Sequence, residues 1–454
     1  GKGNLSSEAN PYFLFPQIYN FRYNIFSSEW PVANRVIELY LQKKSENGGW
    51  ERQINGISNN EKAVLLLEKR TFKELLVDME LRNLQNNIVG QEASRLFARA
   101  EINMGVEAFR DSLYSLLKRN TFLNIKFENM LDTLGEISRT DIRSLLGEWE
   151  KTTPLPFYSL GEPTLTKITN KGGEEFFVLK MLISNNSDYD GIIHMDIRKD
   201  GWWYQPLEDP RAKTKIEMPA HTSKEFVSVW EDQIRNVEIN TMVSGNLPNI
   251  ISQDINNVKQ ERNKIVKDSI YILPESSFDL PGEIIVDNED STLFILSAPP
   301  IVGLLPKWLD EVEETPFKYS GISWWRPPLQ WTATTNDRYY GKYIRSAFVI
   351  KSGDGSQTAT WKVPVPEVGQ YDLYYHVFKD DELRWNNNLQ GEYHFKVKYG
   401  SEVEDAYVNL RKANEGWEQL GSYYFDSDTI RVVLTDECKL RSVTADAVKI
   451  VKRY

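Results

Sequence analysis

Gly369-Gln370-Tyr371-Asp372-Leu373-Tyr374-Tyr375-His376-Val377 alternates large apolar residues with polar ones. Because successive side chains of a strand point to opposite faces, this period of two predicts a strand with one buried face. Similar runs surround it at 283–286, 359–363, 393–397, 430–434 and 447–451. Turn residues at 353–355 and 367–369 separate these runs. The region 281–454 is therefore predicted to be a β-sandwich.

A second β-rich region precedes it at 156–249. Phe177, Leu179, Met181 and Ile183 alternate with polar neighbours, and turn clusters at 185–187 and 199–201 separate this strand from others. We interpret this region as another β-sandwich. The segment 250–280 mixes Asn, Gln, Lys and Glu with few large apolar residues, and its charged run at 260–264 is typical of solvated chain. It is predicted to be a helix or a linker.

The first third of the chain, residues 1–155, has a helical pattern. Apolar residues recur at spacings of three and four, for example at Val32, Val36, Leu39 and Tyr40. Similar spacing recurs as far as Trp149, where prolines end the pattern. The fold class predicted is multidomain α + β, with a helical region, a β-sandwich, a linker and a second β-sandwich.

Composition narrows the possible partners. Lys and Arg total 54 against 65 Asp and Glu, a net charge of −11. This balance disfavours nucleic acid and anionic lipid as partners. No apolar run is long enough to span a bilayer. The single cysteine, Cys438, excludes an internal disulfide and is interpreted as a small buried side chain.

The helical region resembles a known enzyme family through pieces that follow one another in order. These pieces are Glu29-Trp30-Pro31-Val32-Ala33-Asn34-Arg35, Ala93-Ser94-Arg95-Leu96-Phe97, Gly105-Val106-Glu107-Ala108-Phe109-Arg110 and Leu145-Leu146-Gly147-Glu148-Trp149. They resemble the part of M1-type (gluzincin) metallopeptidases downstream of the zinc site, especially Bacteroidetes forms fused to ABC-transporter-like membrane segments. The sandwich that follows is similar to the β-domain of that family. The resemblance implies that these helices support an active-site domain.

Catalysis in that family needs His-Glu-x-x-His on one helix, where two imidazoles hold Zn²⁺ and the carboxylate activates water. The histidines of this chain are His194, His221, His376 and His394, and no two lie within four residues of each other. We therefore predict that this chain is not itself an enzyme. No catalytic residue, metal ligand or cofactor is assigned.

The terminal region resembles a second family. The pieces that carry the resemblance are 283–288, Tyr340-Gly341, 359–363, 369–374, 416–421 and Ala445-Asp446-Ala447-Val448. They resemble the golvesin-like C-terminal domain, also described as a xanthan-lyase-type, carbohydrate-binding-like module. Relative to that pattern, the segment near 295–320 is an insertion. The resemblance implies a sandwich that binds glycan.

Sugar binding needs exposed flat rings beside amides or charged groups. The candidate ligand-binding residues are Trp385, Asn386, Asn387, Trp324, Trp325 and Arg326. Packing within loops is the alternative for both groups.

Other residues are interpreted structurally. Trp361 and Trp417 lie within or beside strands and are interpreted as core, and Asp446 as an acceptor for backbone amides. The acidic run at 287–290 has the oxygen ligands that Ca²⁺ uses, but an acidic turn is the simpler interpretation.

We predict that the chain is the non-catalytic C-terminal portion of an M1 metallopeptidase-like protein, giving structural support and binding glycan or protein. Its partners would be an upstream peptidase or membrane domain and a glycan or cell-surface molecule. The expected location is extracytoplasmic, tethered through a missing N-terminal part. A freestanding carbohydrate-binding adhesion protein is the first alternative, and a polysaccharide-active enzyme is the second.

Overall fold

The computed structural model describes residues 23–42, 49–169, 172–199, 205–255, 257–262, 266–275, 278, 282–297, 317–323, 326–379 and 391–453. They form two compact units. Unit 1 comprises Gly1–Gly48 and Asn59–Ser277, and unit 2 comprises Gly49–Ser58 and Phe278–Tyr454. No helix in the described ranges is long and apolar enough to cross a membrane.

The helices are concentrated in the first third of the chain, as the three- and four-residue spacing predicts. They are α1 (Ala33–Leu41), α2 (Gly49–Asn55), α3 (Asn59–Lys69), α4 (Phe72–Leu76), α5 (Gln85–Met104), α6 (Val106–Arg119) and α7 (Phe127–Ser138). Short 3-10 segments occur at Met79–Leu81, Arg143–Glu150 and Pro210–Ala212. Helix α4 begins with a capping box, in which Thr71 and Glu74 satisfy each other's backbone N–H groups.

The strands of unit 1 form a small parallel pair and two larger sheets. They are β1 (Asn24–Phe26), β2 (Asn124–Lys126), β3 (Tyr158–Leu160), β4 (Thr164–Thr169), β5 (Glu175–Asn185), β6 (Gly191–Lys199), β7 (Gln205–Pro206), β8 (Lys213–Met218), β9 (Thr222–Trp230), β10 (Ile234–Asn240), β11 (Ile250–Asp254), β12 (Val258–Arg262) and β13 (Ser269–Pro274). One sheet has the order β11-β10-β6-β7, with β8 beside β6. The other has the order β12-β4-β5-β9-β13, with β3 beside β5.

The linker predicted at 250–280 is wrong, because this segment contributes β11, β12 and β13 to the sandwich. Strand β11 pairs with β10, β12 runs parallel to β4, and β13 pairs with β9. All three lie at sheet edges, and β13 is mostly exposed. Edge strands with exposed faces do not need the apolar alternation of a half-buried strand, so the sequence pattern did not reveal them.

The strands of unit 2 form three sheets. They are β14 (Glu283–Val286), β15 (Phe294–Leu296), β16 (Thr332–Thr335), β17 (Ser346–Lys351), β18 (Thr358–Pro364), β19 (Gly369–Val377), β20 (Glu392–Tyr399), β21 (Glu402–Asn409), β22 (Gly416–Phe425), β23 (Thr429–Thr435), β24 (Ser442–Ala445) and β25 (Val448–Lys452). The orders are β14-β25-β19-β22, β15-β18-β23-β20-β21 and β16-β17-β24. Their inner faces share one apolar core, in which Trp361 is fully buried as predicted.

Helix α2 belongs to unit 2, although the sequence pattern includes it in the helical region 1–155. The hydroxyl of Thr335 donates to the carbonyl of Gly56 at 2.6 Å. Gly56 has φ +81°, and a Cβ built there would lie 2.4 Å from the backbone nitrogen of Ser320. Only glycine fits both the left-handed backbone and this close approach.

The helical core of unit 1 is organised around Trp149. Its ring centroid lies 5.0 Å from that of Trp30 and 4.9 Å from that of Phe72, both at steep interplanar angles. All three side chains are almost fully buried. Because edge-to-face rings add to the free energy of burial, this cluster is expected to contribute strongly to the stability of unit 1.

We predict that Trp149→Ala lowers the free energy of unfolding of unit 1 by about 3–5 kcal/mol, because it leaves a large cavity. The measurement is the urea midpoint followed by the helical circular dichroism signal. Tyr114→Ala on α6, where the side chain is 52% exposed, is the control and should leave the midpoint nearly unchanged. Equal midpoints for the two variants would contradict the assignment of Trp149 to the core.

Candidate functional site

The candidate site lies on the outer face of the four-stranded sheet β14-β25-β19-β22. In β19 the buried positions are Tyr371, Leu373, Tyr375 and Val377, so Asp372, Tyr374 and His376 point outward. The register of the sheet places further residues beside them. Trp417 lies opposite His376, while Gln419 and Lys449 lie opposite Tyr374 on the two neighbouring strands. We call the outward residues of this sheet the aromatic face: Asp372, Tyr374, His376, Trp417, Gln419, Ser422 and Lys449.

Aromatic rings cluster at one end of this face. The Trp417 centroid lies 5.2 Å from His376 and 5.0 Å from Tyr340, and all three side chains are partly exposed. The Nζ of Lys449 lies 4.8 Å from the centroid of Trp417 and 5.4 Å from that of Tyr374. These distances are those of cation–π contacts. Glu283 accepts from Lys449 Nζ at 3.0 Å and holds the cation over the rings.

Polar groups cluster beside the rings. The carboxylate of Asp372 accepts from the amide of Gln419 at 3.0 Å, from Nε of Arg453 at 2.8 Å, and from the hydroxyl of Ser422. Burial acts to raise the pKa of Asp372, but the hydrogen bonds from Ser422 and Arg453 outweigh it and lower this pKa below its usual value. Asp372 is therefore ionised at neutral pH, and the amide and the guanidinium are held beside it.

The loop that carries Tyr340 is held in place by hydrogen bonds to the fully buried Asp446. Its carboxylate accepts from Nδ1 of His376 at 2.9 Å, and the N–H of Tyr340 lies 3.2 Å from each of its oxygens. Burial raises the pKa of Asp446, whereas His376 and the Tyr340 amide act to lower it. The prediction that Asp446 binds backbone amides is confirmed, and the same carboxylate also orients His376.

A second acid, the partly buried Asp287, follows β14. Burial, together with the charges of Asp446 and Glu289, raises the pKa of Asp287 well above its usual value. Asp446 accepts a hydrogen bond from His376, whereas the raised pKa of Asp287 favours its neutral form. The carboxylate of Glu289 accepts from Lys318 at 2.6 Å, from Tyr319 at 3.0 Å, and from Ser346. The acidic run at 287–290 thus forms hydrogen bonds and an ion pair with other residues of unit 2.

The four histidines lie in separate environments. His221 contacts Asp188 at 2.8 Å and Glu275 at 3.0 Å, and His394 contacts Asp405 at 2.7 Å and Glu437 at 3.2 Å. Within the described part of the chain, no group of three His, Cys, Asp or Glu side chains could hold a metal ion.

His194 differs from the other histidines in that one of its ring nitrogens, Nε2, is buried without a hydrogen-bond partner among the described residues. Burial, followed by the nearby Lys215 charge, lowers the pKa of His194 to about 4. The imidazole is therefore neutral at physiological pH.

Of the six ligand-binding residues proposed from the sequence, the structure describes one. Trp385, Asn386, Asn387, Trp324 and Trp325 lie outside the described residues. Arg326 is exposed, and its N–H donates to the carbonyl of Ser323 at 2.9 Å.

The sequence interpretation missed Trp417, which was expected to be core. It is half-buried on the outer face, beside Tyr340. Strand β22 has a register shift where it passes Leu373 and Tyr374 of β19, so simple alternation along β22 does not indicate the face on which Trp417 lies.

Residues 327–452 match the family model described as the Golvesin C-terminal domain. This confirms the sequence resemblance over most of the terminal sandwich, including β16 to β25 and all seven residues of the aromatic face. The M1 peptidase origin is not shown. No curated protein matches the chain.

Solved structures give remote similarities. Bacteroides uniformis beta-glucuronidase is 11% identical over 66% of this chain and 30% of that chain, with a TM-score of 0.19. TmCBM61, solved with beta-1,4-galactotriose, is 14% identical over 38% of this chain and 86% of that chain, with a TM-score of 0.14. The structure of Sulfolobus Turreted Icosahedral Virus is 9% identical over 67% of this chain and 97% of that chain, with a TM-score of 0.14.

We predict that Asp287→Asn stabilises unit 2 at neutral pH. A carboxyl whose folded pKa lies above its unfolded value contributes stability below the unfolded pKa, and this contribution is lost as the pH rises through the folded pKa. The urea midpoint of the variant should therefore exceed that of the parent at pH 7.5, and the gain should shrink toward pH 4.

The control for this experiment is Asp354→Asn. Asp354 is exposed, and hydrogen bonds from Ser356 lower its pKa, so its replacement should not raise the midpoint. Identical midpoints for Asp287→Asn and the parent at both pH values would refute the assignment of a raised pKa to Asp287.

Proposed function

We propose that unit 2 is a non-catalytic binding module that holds a glycan on its aromatic face. The observation that carries this proposal is the half-buried ring of Trp417, surrounded by Tyr340, His376 and Lys449. A ring with one edge fixed by neighbours and one part in solvent is what a sugar stacks on. The family match over 327–452 supports the proposal, since the resemblance implies a carbohydrate-binding-like module.

The chemistry of the face suits a sugar. The C–H groups of a pyranose would rest against Trp417 and Tyr374, and its hydroxyls would bind the groups held beside them. Gln419 and Arg453 provide donors, and Asp372 provides an acceptor. A sugar over Trp417 displaces the Nζ of Lys449 from the ring, and this ammonium can then donate to the sugar oxygens.

The helical part of unit 1 would give structural support, as the M1 resemblance implies. Buried polar contacts tie it to the adjacent sandwich: the hydroxyl of Tyr40 donates to Glu101 at 2.7 Å, and Lys215 of β8 forms an ion pair with the same carboxylate. Such contacts suit a region that takes no part in a reaction and supports the adjacent sandwich. In this proposal the parent is an extracytoplasmic M1-like protein whose catalytic domain lies upstream.

Sequencing the parent gene tests this origin. An upstream His-Glu-x-x-His segment would support it, and a parent lacking one would leave the freestanding adhesion protein as the explanation. The polysaccharide-active enzyme would require turnover of a glycan by this chain.

We predict that Trp417→Ala weakens glycan affinity by about 1–3 kcal/mol, the contribution expected of one buried aromatic contact. A glycan array would identify the ligand, and isothermal titration calorimetry would give the affinity of each variant. Tyr271→Ala on β13 in unit 1 is the control, since it removes a ring that is 51% exposed outside the aromatic face.

Folding of the variants is checked by urea midpoints, because Trp417 also contacts Tyr340. Loss of binding with an unchanged midpoint supports the proposal. Full affinity in Trp417→Ala, or a parent that binds no glycan on the array, would overturn it.

A further inference from the structure

The opposite sheet, β15-β18-β23-β20-β21, presents positive charge on its outer face. In β23, Ile430 and Val432 are fully buried, so Arg431 points outward. The same alternation in β20 and β18 turns Lys396, Lys398 and Lys362 outward. Arg431 and Lys398 are exposed, and Lys362 and Lys396 are partly exposed.

Three of these cations stand directly beside one another. Lys398 is the register partner of Arg431 on one side, and Lys362 is its partner on the other side. We call Lys398, Arg431 and Lys362 the cationic row. Because neighbouring strands are about 4.8 Å apart, the row crosses three strands with one positive charge per strand.

Like charges directly opposite each other on adjacent strands are destabilising. Within the described residues, no acid lies within ion-pair distance of any member of the row. Acids are plentiful, since the chain carries 65 Asp and Glu against 54 Lys and Arg. On this face Asp405 and Glu437 contact the imidazole of His394 at 2.7 and 3.2 Å instead. The described residues therefore leave the charge of the row unbalanced, and an anionic ligand would relieve its repulsion.

We propose that the cationic row binds a linear polysaccharide that carries carboxylates, such as a polyuronate. The row spans about two strand separations, and the long Lys and Arg side chains can reach carboxylates on neighbouring residues of an extended glycan. The guanidinium of Arg431 can bind a carboxylate through two parallel hydrogen bonds. Thr360 and Lys396, one row along the strands, lie where they can donate to sugar hydroxyls.

The surroundings of the row favour a narrow polymer over a broad anionic surface. Asp405 lies directly opposite Lys396 in the neighbouring row, and Glu437 lies near it through His394. A lipid bilayer or a nucleic acid duplex would bring its own charges against these acids and against the net charge of −11. A single glycan chain can follow the row alone, and charges farther than about 8 Å away are largely screened at physiological salt.

The row lies on the other sheet from the aromatic face, so this inference goes beyond the proposed function and does not depend on it. The test uses the full chain with polygalacturonate and with the same polymer fully methyl-esterified. The variant Lys362→Gln/Lys398→Gln/Arg431→Gln is compared with Lys118→Gln/Arg119→Gln/Lys126→Gln. The control removes the same three charges from exposed positions of unit 1.

We expect the parent to bind polygalacturonate at least about tenfold more tightly than the methyl ester, and the row variant to lose that difference. The dependence of affinity on salt should flatten in the row variant only. Its urea midpoint should equal or exceed that of the parent, because like-charge repulsion has been removed. Trp417→Ala should keep the charge-dependent part of binding, which separates this result from failure of the aromatic face.

Unchanged affinity and salt dependence in the row variant would overturn the proposal. Two further probes are an oligothymidylate and vesicles of three parts phosphatidylcholine to one part phosphatidylglycerol. The protein could bind either probe as tightly as polygalacturonate, and the row variant could lose that binding to the same extent. In that case the row is a general anion site and the glycan assignment is wrong.

Discussion

The shared apolar core of unit 2 is the constraint on which its two outer faces depend. Each long strand gives every second side chain to that core, as Tyr371, Leu373 and Tyr375 do in β19. The remaining residues are then free to carry chemistry, because they add little to the burial that holds the sheets together. The outward residues of one sheet include aromatic rings, and those of the other sheet include positively charged side chains.

These two faces differ in how their residues are held. On the aromatic face Asp372 is held by Gln419, Ser422 and Arg453, and Lys449 is held by Glu283. That arrangement is pre-organised, which lowers the entropy lost on binding. On the opposite sheet Arg431 has a like charge on each side. The first face therefore has the properties of a fixed platform, and the second has those of an electrostatic site that the ligand itself completes.

The sequence predicts those parts of the fold in which burial requires a regular spacing of apolar residues. The alternation in β19 and the helical spacing of α1 both follow from an apolar core, and both are found. The sequence did not predict strands β12 and β13, because hydrogen bonding to their partner strands places them in the sheet, whereas their own side chains show no apolar alternation. The outward position of Trp417 depends on a register shift against β19, and register between strands distant in sequence cannot be deduced from one strand alone.

Two acids next to the aromatic face, the fully buried Asp446 and the partly buried Asp287, connect the stability of unit 2 with the geometry of this face. Asp446 holds His376 and the backbone of Tyr340, so the ring that packs against Trp417 depends on a carboxylate with no access to solvent. Removing one partner of a buried hydrogen bond leaves the other unsatisfied, which costs more free energy than the bond contributes. Asp287 can stay neutral beside it, and this spares the site a second buried negative charge. The position of Tyr340 and His376 on the aromatic face thus depends on the hydrogen bonds that the buried Asp446 accepts.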